Sequence, residues 1–335
     1  MPLNPDVPTR EIVEHVRRLY DVDARDVATI AGRAHAEATV YRVDDGHERS
    51  YVLKLTPDPR GAPSRLARHL ADSGVAQVLA PLRTRDGQLS SRIRDLQASL
   101  YPFVEGENGF RTPLTGDQWT ALGSAVRAIH RTKLPSSVSE FMRTETYSDA
   151  WRNKTRGYLT IVPSEYPDDS VTRELIELLS GKGAEITMLV EHAEQLARVL
   201  RRRALPEVPC HGDLHAGNVL ADGVGSIVIV DWDDPVLAPK ERDLMFVGAG
   251  IGGAWNRPEE SAAFYRGYGA VTVDAEALAY YRCERIVEDI AVFCDQLLLD
   301  GGDERGERAQ MFRMLAGAFG PNDVVEIAER TFAAL

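Results

Sequence analysis

Cysteine is scarce in this chain. Its 335 residues include three cysteines, Cys210, Cys283 and Cys294, and no two of them form a CxxC pair. Disulfide frameworks and cysteine zinc sites need paired or more numerous cysteines. The sequence therefore predicts packed free thiols in a reducing compartment and argues against both kinds of site.

Long hydrophobic runs are also absent. The longest apolar stretch, 244–255, contains four glycines, and it is shorter than the roughly 20 residues that cross a bilayer as a helix. The first residues lack the apolar segment of a signal peptide. We therefore expect a cytoplasmic protein with no membrane association, either a monomer or a simple homodimer.

Positive charge is in deficit, since 39 Lys and Arg residues stand against 51 Asp and Glu residues, for a net charge of −12. Nucleic-acid binding depends on cations that neutralise phosphates, so the sequence argues against nucleic-acid partners. Clefts with acidic walls concentrate cations, which favours a cationic small-molecule ligand.

The chain changes character near residue 103. Its first part contains short elements with turn signals between them: strands at 38–43, 50–55 and 98–103, and helices at 10–20 and 65–74. The later part is mostly helical: a helix capped by Thr115 and Gln118, a helix at 183–203, and helices from about 275. We predict an α+β fold with a small β-rich N-terminal lobe (1–103), a larger helical C-terminal lobe (104–335) and a ligand cleft between them.

The segment 211–231 carries the clearest chemistry. A turn at 221–225 makes the two flanking runs the arms of a short antiparallel hairpin, which brings Asn218 and Asp231 to the same open end. Asp213 lies in the loop that leads into that end. An amide oxygen and a carboxylate suit Mg²⁺, and Asp213 is left to accept a hydroxyl proton. This set predicts phosphoryl transfer, which depends on positioning and charge neutralisation.

The spacing His-x-Asp-x4-Asn, followed by Asp after a hairpin, resembles the aminoglycoside phosphotransferases, antibiotic kinases with a protein-kinase-like fold. The resemblance implies ATP as phosphate donor, Mg²⁺ as metal, and Asp213 as catalytic base. It also implies Asn218 and Asp231 as metal ligands and His211 as a residue that orients the loop. The alternative is an acidic surface loop and hairpin without catalytic function.

Lys54 lies in the strand predicted at 50–55, where it needs a partner charge unless it faces solvent. The resemblance implies that this partner is an ATP phosphate. In kinases the lysine also has an acidic partner on the next helix. Here the candidates are Asp72, at the far end of that helix, and Asp58, in the preceding loop, so the partner stays open.

The remaining nucleotide-binding candidates are backbone segments. The region between the first strands has a single glycine, Gly32, instead of a glycine-rich loop, and we expect its backbone to cover the phosphates. The stretch from Tyr101 to Phe103 and Val104 resembles the hinge that binds the adenine edge. An ordinary strand end is the alternative.

The run from Gly248 to Gly253 matches the dinucleotide fingerprint GxGxxG. That motif has meaning between a strand and a helix of a βαβ unit. A predicted helix start precedes this run and a loop follows it, so we predict close packing instead.

Three segments, 231–246, 284–290 and 108–110, resemble the spectinomycin phosphotransferases. This resemblance implies phosphorylation of a ring hydroxyl of spectinomycin, a cationic aminocyclitol, and antibiotic resistance. Candidate substrate contacts are the carboxylates and one aromatic ring near these segments: Asp233, Asp234, Glu288, Asp289 and Trp255. Pairing of Glu288 and Asp289 with Arg282 or Arg285 is the alternative. A kinase of another aminoglycoside, amino-alcohol or sugar, and an inactive kinase-like binding protein, also stay open.

Overall fold

The structure, a computed structural model, describes residues 7–30, 38–57, 61–161, 169–223, 225–299 and 306–335. Its strands are β1 (Ala24–Thr29), β2 (Thr39–Asp45), β3 (Ser50–Thr56), β4 (Ser91–Ile93), β5 (Leu96–Pro102), β6 (Glu107–Asn108), β7 (Arg143–Thr144), β8 (Val208–Cys210), β9 (Val219–Ala221), β10 (Ile227–Ile229) and β11 (Val236–Ala238). Its helices are α1 (Thr9–Leu19), α2 (Ala62–Asp72), α3 (Gly116–Arg131), α4 (Ser136–Ser139), α5 (Ala150–Tyr158), α6 (Ser170–Gly181), α7 (Gly183–Leu200), α8 (Glu241–Leu244), α9 (Pro258–Tyr268), α10 (Ala275–Leu299), α11 (Glu307–Gly317) and α12 (Val324–Ala333).

Within the described residues, the N-terminal part is an antiparallel sheet in the order β1-β2-β3-β5-β4. The hairpin β2–β3 and strand β5 were predicted from the sequence and are confirmed. Alternation along β3 buries Leu53 and Leu55 in a core that α1 completes with Ile12 and Val16. The opposite face of β3 carries Lys54, which therefore points away from this core.

The C-terminal part is mainly helical, which confirms the predicted α+β class. Helix α3 begins at Thr115, and the capping box with Gln118 is present as predicted. Helix α9 packs tightly against α3 at two glycines. A Cβ on Gly123 would lie 2.0 Å from the Phe264 carbonyl oxygen, and one on Gly267 would lie 1.8 Å from the Thr120 carbonyl oxygen. The backbones of α3 and α9 therefore approach more closely than any larger residue would permit.

The long helix α10 crosses the C-terminal part and packs against α5, α7 and α12. Helix α7 contributes the buried stripe that its periodicity predicts, and Ile186, Leu189 and Val190 lie in one core with Ile286 and Val287 of α10. A buried ion pair joins Arg152 of α5 to Glu284 of α10. These contacts hold the middle of α10, residues 284–290, beside the segment 211–231.

The predicted hairpin β9–β10 is present, with Val219 opposite Ile229, and β6 adds a third strand. A second small sheet, in the order β7-β11-β8, contains β8, the strand that precedes the loop leading to β9. The segment 211–218 thus runs from β8 of one small sheet to β9 of the other, and the pairing of these strands fixes its two ends.

Three further expectations concern single features. All three cysteines are free and buried, as predicted. In the part of the chain that the structure describes, no helix combines the length and apolarity needed to cross a membrane. The glycine run 248–253 follows α8 and is not part of a βαβ unit. Gly250 has φ +81°, and a Cβ there would lie 2.6 Å from the Ile327 side chain, which confirms close packing.

Candidate active site

A cavity of about 490 Å³ lies between the five-stranded sheet and the β9–β10 hairpin. This volume is within the usual range for a small-molecule site. Apolar side chains enclose it from both sides: Val40 and Val52 from the sheet, and Leu220 and Val230 on or beside the hairpin. Its remaining lining includes the predicted nucleotide residues Lys54, Tyr101 and Phe103 and the acidic residues Asp231 and Asp233.

Lys54 projects from β3 into this cavity. Its Nζ donates a 2.8 Å hydrogen bond to Asp231 Oδ1 and a second hydrogen bond to Asp233. Burial lowers the pKa of the ammonium group, but the two carboxylates outweigh burial and raise that pKa above its ordinary value. The lysine is therefore charged and held at the mouth of the hairpin.

The acidic partners of Lys54, which the sequence left open, are therefore Asp231 and Asp233 in the absence of nucleotide. Asp72 is not the partner, because it pairs with Arg68 at 2.7 Å and with Arg83 at 3.1 Å. Asp58 and Gly32 lie outside the described residues. Asp233, which we predicted to contact the substrate, instead shares Lys54 with Asp231.

The backbone beyond β5 leaves few groups for an adenine edge. The Phe103 N–H already donates to the Ser50 carbonyl oxygen at 3.0 Å, and Pro102 has no N–H to donate. Val104 follows directly and also lines the cavity. The predicted hinge therefore borders the cavity, but the Phe103 N–H is occupied within the sheet.

Asp243 at α8 holds the loop that follows β8. Its carboxylate accepts hydrogen bonds from the backbone N–H groups of His211 and Gly212, both at 2.9 Å, and lies 3.0 Å from His130 Nε2. Burial raises the pKa of Asp243, but these donors outweigh burial and lower it. A buried carboxylate thus clamps the start of the loop.

His211 connects the same loop to the hairpin. Its Nε2 lies 2.9 Å from the Val230 carbonyl oxygen, and its Nδ1 accepts from the Asp213 N–H at 3.2 Å. Since a carbonyl can only accept, Nε2 carries the proton. The ring is fully buried and packs against Trp232. This is the geometry expected of a residue that orients the loop.

Gly212 is required by the shape of the loop. Its φ is +85°, in the region that favours glycine, and a Cβ there would lie 2.2 Å from the Asp234 carbonyl oxygen. The loop can therefore pass beside the Asp234 backbone, just before β11, only with glycine at this position.

Asp213, the predicted base, is 14% exposed and is held on several sides. Its Oδ1 accepts from Arg285 Nη1 at 2.5 Å, whereas its Oδ2 lies 3.5 Å from both His215 Nε2 and Asn218 Nδ2. Burial raises the pKa of this carboxyl, but Arg285 and His215 outweigh burial and hold that pKa well below its ordinary value. Asp213 is therefore ionised and is able to accept a proton.

The two predicted metal ligands lie at the open end of the hairpin. Asn218 precedes β9, Asp231 follows β10, and the Val230 N–H donates to the Asn218 carbonyl oxygen at 2.9 Å. Asn218 Nδ2 donates to the Asp213 carbonyl oxygen at 2.8 Å, which leaves its amide oxygen directed elsewhere. Asp231 has φ +62°, a strained conformation that is common at functional sites. Hard oxygen donors of this kind fit Mg²⁺.

One predicted substrate carboxylate of α10, Asp289, shares Arg285 with Asp213, and the other, Glu288, precedes it in the helix. Asp289 Oδ1 is 2.9 Å from Arg285 Nε, and Glu288 Oε2 is 3.9 Å from Arg242. Burial raises the pKa of both carboxyls, and the arginines only partly offset it. The alternative pairing with Arg285 is therefore present for Asp289. Arg282 instead donates to backbone carbonyls.

Two further substrate candidates occupy other positions. Asp234 is 60% exposed and pairs with Arg143 at 2.9 Å. Trp255 is 5% exposed, and its ring centroid lies 4.7 Å from that of Trp119 in an edge-on arrangement. Our expectation that Trp255 forms an open wall for a cation is corrected by this burial, because its ring packs in the core.

Sequence reasoning missed three residues around Asp213. Arg285 contacts the base directly, His215 lies beside it, and the Phe110 ring stands 5.6 Å from the His215 ring while remaining 43% exposed. The signals were present: Arg285 and Asp289 have the i,i+4 spacing of a helical ion pair, and His215 is two residues from Asp213. Nothing in the spacing indicated which of these faces the loop.

The chain is similar to known phosphotransferases in sequence and in structure. The sequence profile of the phosphotransferase enzyme family matches residues 29–281. A solved spectinomycin phosphotransferase, in complex with ADP and spectinomycin, is 37% identical; the alignment covers 97% of this chain and 99% of that chain, with a TM-score of 0.88.

Two more distant proteins are also similar. An amicoumacin kinase solved with AMP-PNP, Ca²⁺ and its ligand shares the fold at 18% identity, with 98% of this chain and 94% of that chain covered and a TM-score of 0.63. Protein StrN of Streptomyces griseus is 28% identical over 203 residues, 58% of this chain. That match spans 62% of the length of StrN.

Proposed function

This chain belongs to the phosphotransferase enzyme family, and from that premise we propose that it transfers the γ-phosphate of ATP to a ring hydroxyl of spectinomycin and so confers resistance to this antibiotic. The observation that carries the proposal is that Lys54 and Asp231 meet in one cavity, while Asn218 and Asp213 are hydrogen-bonded to each other at the open end of the hairpin that borders it. The choice of acceptor rests on the 37% identity, across nearly the whole chain, to a spectinomycin phosphotransferase.

ATP would occupy the cavity between sheet and hairpin. The apolar side chains Val40, Val52 and Leu220 suit the faces of a purine. We assign the adenine edge to the backbone at Val104, because the Phe103 N–H is already donated to Ser50. Lys54 is charged and lies at the same cavity, so it would bind the phosphates by charge-assisted hydrogen bonds.

Asn218 and Asp231 would hold Mg²⁺ through their side-chain oxygens. When bound, the metal neutralises negative charge on the phosphates during transfer. The chain's own contribution is the rigid hairpin, whose pairing fixes the separation of these two residues.

Asp213 acts as the base. The acceptor hydroxyl gives its proton to this carboxylate while its oxygen bonds to the γ-phosphorus, and the bond from that phosphorus to the ADP oxygen breaks. Asp243 and His211 hold the loop in which Asp213 lies, so the base is positioned before the acceptor arrives.

The acceptor would enter beside α10. Spectinomycin carries two methylamino groups that are cationic near neutral pH, and buried carboxylates bind such groups by charge-assisted hydrogen bonds. Asp289 shares Arg285 with Asp213, Glu288 precedes Asp289 in α10, and Asp234 is exposed. We assign ammonium binding to these residues.

The test is a coupled assay of ADP release with Mg·ATP and a panel of acceptors: spectinomycin, kanamycin, streptomycin, hygromycin, choline and none. We expect turnover with spectinomycin and a phosphorylated product by mass spectrometry. Asp213→Asn should lower kcat by on the order of 10² or more, while Asp95→Asn, at a fully exposed turn residue, should not. Turnover only with another acceptor would refute spectinomycin as the substrate. Absence of turnover with every acceptor would refute the proposed activity.

A further inference from the structure

The guanidinium group of Arg285 lies between the base and the acidic side of α10. Its Nη1 is 2.5 Å from Asp213 Oδ1, its Nε is 2.9 Å from Asp289 Oδ1, and its Cζ is 5.6 Å from the centroid of the Phe246 ring. The side chain is 19% exposed. Two carboxylates and an aromatic face therefore fix the orientation of this arginine.

The contact with Arg285 makes the two carboxylate oxygens of Asp213 unequal. Oδ1 is engaged by a short charge-assisted hydrogen bond, whereas the contacts of Oδ2 with His215 and Asn218 are 3.5 Å long. An acceptor hydroxyl must come within about 2.6–3.2 Å of the oxygen that takes its proton. Oδ2 is the oxygen that can accept such an approach without loss of a strong bond.

We propose that Arg285 is a positioning residue, which anchors Oδ1 of Asp213 so that Oδ2 is presented to the acceptor hydroxyl. This inference rests on the proposed function, because it assumes that Asp213 takes the proton. The proton moves from the hydroxyl to Oδ2, and Arg285 stays protonated throughout.

A second effect of Arg285 is to separate two carboxylates. Asp213 and Asp289 both contact its guanidinium group, and the negative charge of Asp213 raises the pKa of Asp289. Removal of the arginine would leave two partly buried negative charges facing each other, which is strongly unfavourable. Asp213 would then rotate away from Asp289 and lose its catalytic orientation.

The Arg285 contact is not what holds α10 in place. Arg282, one turn earlier, donates to the Met245 and Val247 carbonyl oxygens at 3.2 and 2.8 Å. The buried pair of Arg152 and Glu284 joins the same helix to α5. Since these bonds fasten α10 independently, the ion pair with Asp213 serves the loop more than the helix.

A double-mutant cycle tests this role. The variants Arg285→Gln, Asp213→Asn and the double variant are compared by kcat and by KM for ATP and for spectinomycin. We expect Arg285→Gln alone to lower kcat by about tenfold or more, with KM for ATP changed by less than about twofold. Effects that act through one group are non-additive. In the Asp213→Asn background the same change should therefore lower kcat by less than about twofold.

Two further variants control for folding. Arg285→Lys keeps the charge and should recover part of the lost kcat, because an ammonium group can still bond Oδ1. Arg282→Gln removes an arginine of the same helix that bonds to backbone carbonyls and not to Asp213. Its effect on kcat should therefore be independent, so that the factors by which kcat falls in Arg282→Gln and in Asp213→Asn multiply in the double variant. Nucleotide binding and the melting temperature show that each variant is folded.

The outcomes separate the two proposals. If the wild type turns over no acceptor, the proposed function fails and the positioning role fails with it. If the wild type is active but the losses from Arg285→Gln and Asp213→Asn multiply, Arg285 acts independently of the base, and the positioning role alone is refuted. An unchanged kcat in folded Arg285→Gln would refute it as well.

Discussion

Two adjacent aspartates of the active site have different partners. Asp233 contacts Lys54 in the nucleotide cavity, whereas Asp234 pairs with Arg143 at the surface. Both were predicted to bind the substrate, and a carboxylate gives no sign in the sequence of which way it faces. The structure places Asp233 in the lining of the cavity and Asp234 outside it, beside Arg143.

This difference predicts different kinetic effects. Asp233→Asn should raise KM for ATP by on the order of tenfold, since a hydrogen bond to a charged group is worth about 1.5–3 kcal/mol and it orients Lys54. KM for spectinomycin should stay near its wild-type value. Asp234→Asn is the matched control and should leave KM for ATP unchanged. Initial-rate kinetics with each substrate varied in turn decides the question, and equal changes in both KM values would contradict it.

Residues in a motif were predictable from the sequence, and their long-range partners were not. Asp213, Asn218 and Asp231 lie in one segment with a turn between them, so local geometry brings them together. Lys54 and Asp231 are 177 positions apart, and Arg285 and Asp213 are 72 positions apart. Contacts of that kind depend on how whole helices pack, which spacing alone does not encode.

At the scale of an element, the loop after β8 depends on its glycine. Gly212 combines a positive φ with a backbone neighbour 2.2 Å from the position of a Cβ. A side chain there must displace either the loop or the Asp234 backbone. Because the next residue is Asp213, a small shift of the loop moves the base.

Gly212→Ala should therefore lower both stability and kcat. We expect a loss of about 1–3 kcal/mol in the free energy of unfolding, the range for strained backbone, and a larger loss in kcat than in nucleotide affinity. Gly157→Ala is the control, since it lies in α5 with nothing within 4 Å of a Cβ and should be neutral or stabilising. Denaturant unfolding and steady-state rates measure these effects; wild-type behaviour of Gly212→Ala would contradict the role of the loop.

Elements with strong periodicity were predictable, and short or irregular ones were not. Strand β3 alternates between buried and partly exposed residues, the helices α3 and α7 carry a buried stripe, and a turn signal marks the hairpin β9–β10. Strand β1 was missed because its buried residues recur every third position and a bulge interrupts its pairing. Strands β6 and β7, with two residues each, are too short to show any period.

At the scale of the whole molecule, the nucleotide cavity joins the sheet to the helical part. Residues of the N-terminal sheet and of the C-terminal part both line the cavity, and Lys54 of β3 bonds across it to Asp231, which follows β10. A ligand that fills the cavity should therefore stabilise both parts together. The division into lobes at residue 103 stays a prediction.

We expect AMP-PNP with Mg²⁺ at 100-fold over its Kd to raise the melting temperature by roughly 5 °C, since such binding contributes about 2.7 kcal/mol. Asp231→Ala should remove this shift, because it deletes one of the two proposed metal ligands and a partner of Lys54. Differential scanning fluorimetry with nucleotide alone, metal alone and both provides the comparison. A full shift in Asp231→Ala would contradict the assigned role.

The fold class and the reaction were predictable from the order of the motifs along the chain. The substrate contacts assigned to Asp234, Glu288 and Asp289 stay predictions. Asp289 shares Arg285 with Asp213, whereas Trp255 is in the core. Substrate contacts require side chains of α10 and its neighbours that are accessible to a ligand. Tertiary packing determines which side chains these are, and the sequence pattern does not show it.

The double pairing of Lys54 has a consequence for the response of the protein to ionic strength. Without nucleotide, this ammonium group already faces two negative charges, as it would beside a phosphate. Nucleotide binding at this position therefore exchanges one ion pair for another. Dissolved salt screens both pairs, so its effects on the free and bound states largely offset each other. Affinity for ATP should accordingly depend on salt less than the charge of the nucleotide alone implies.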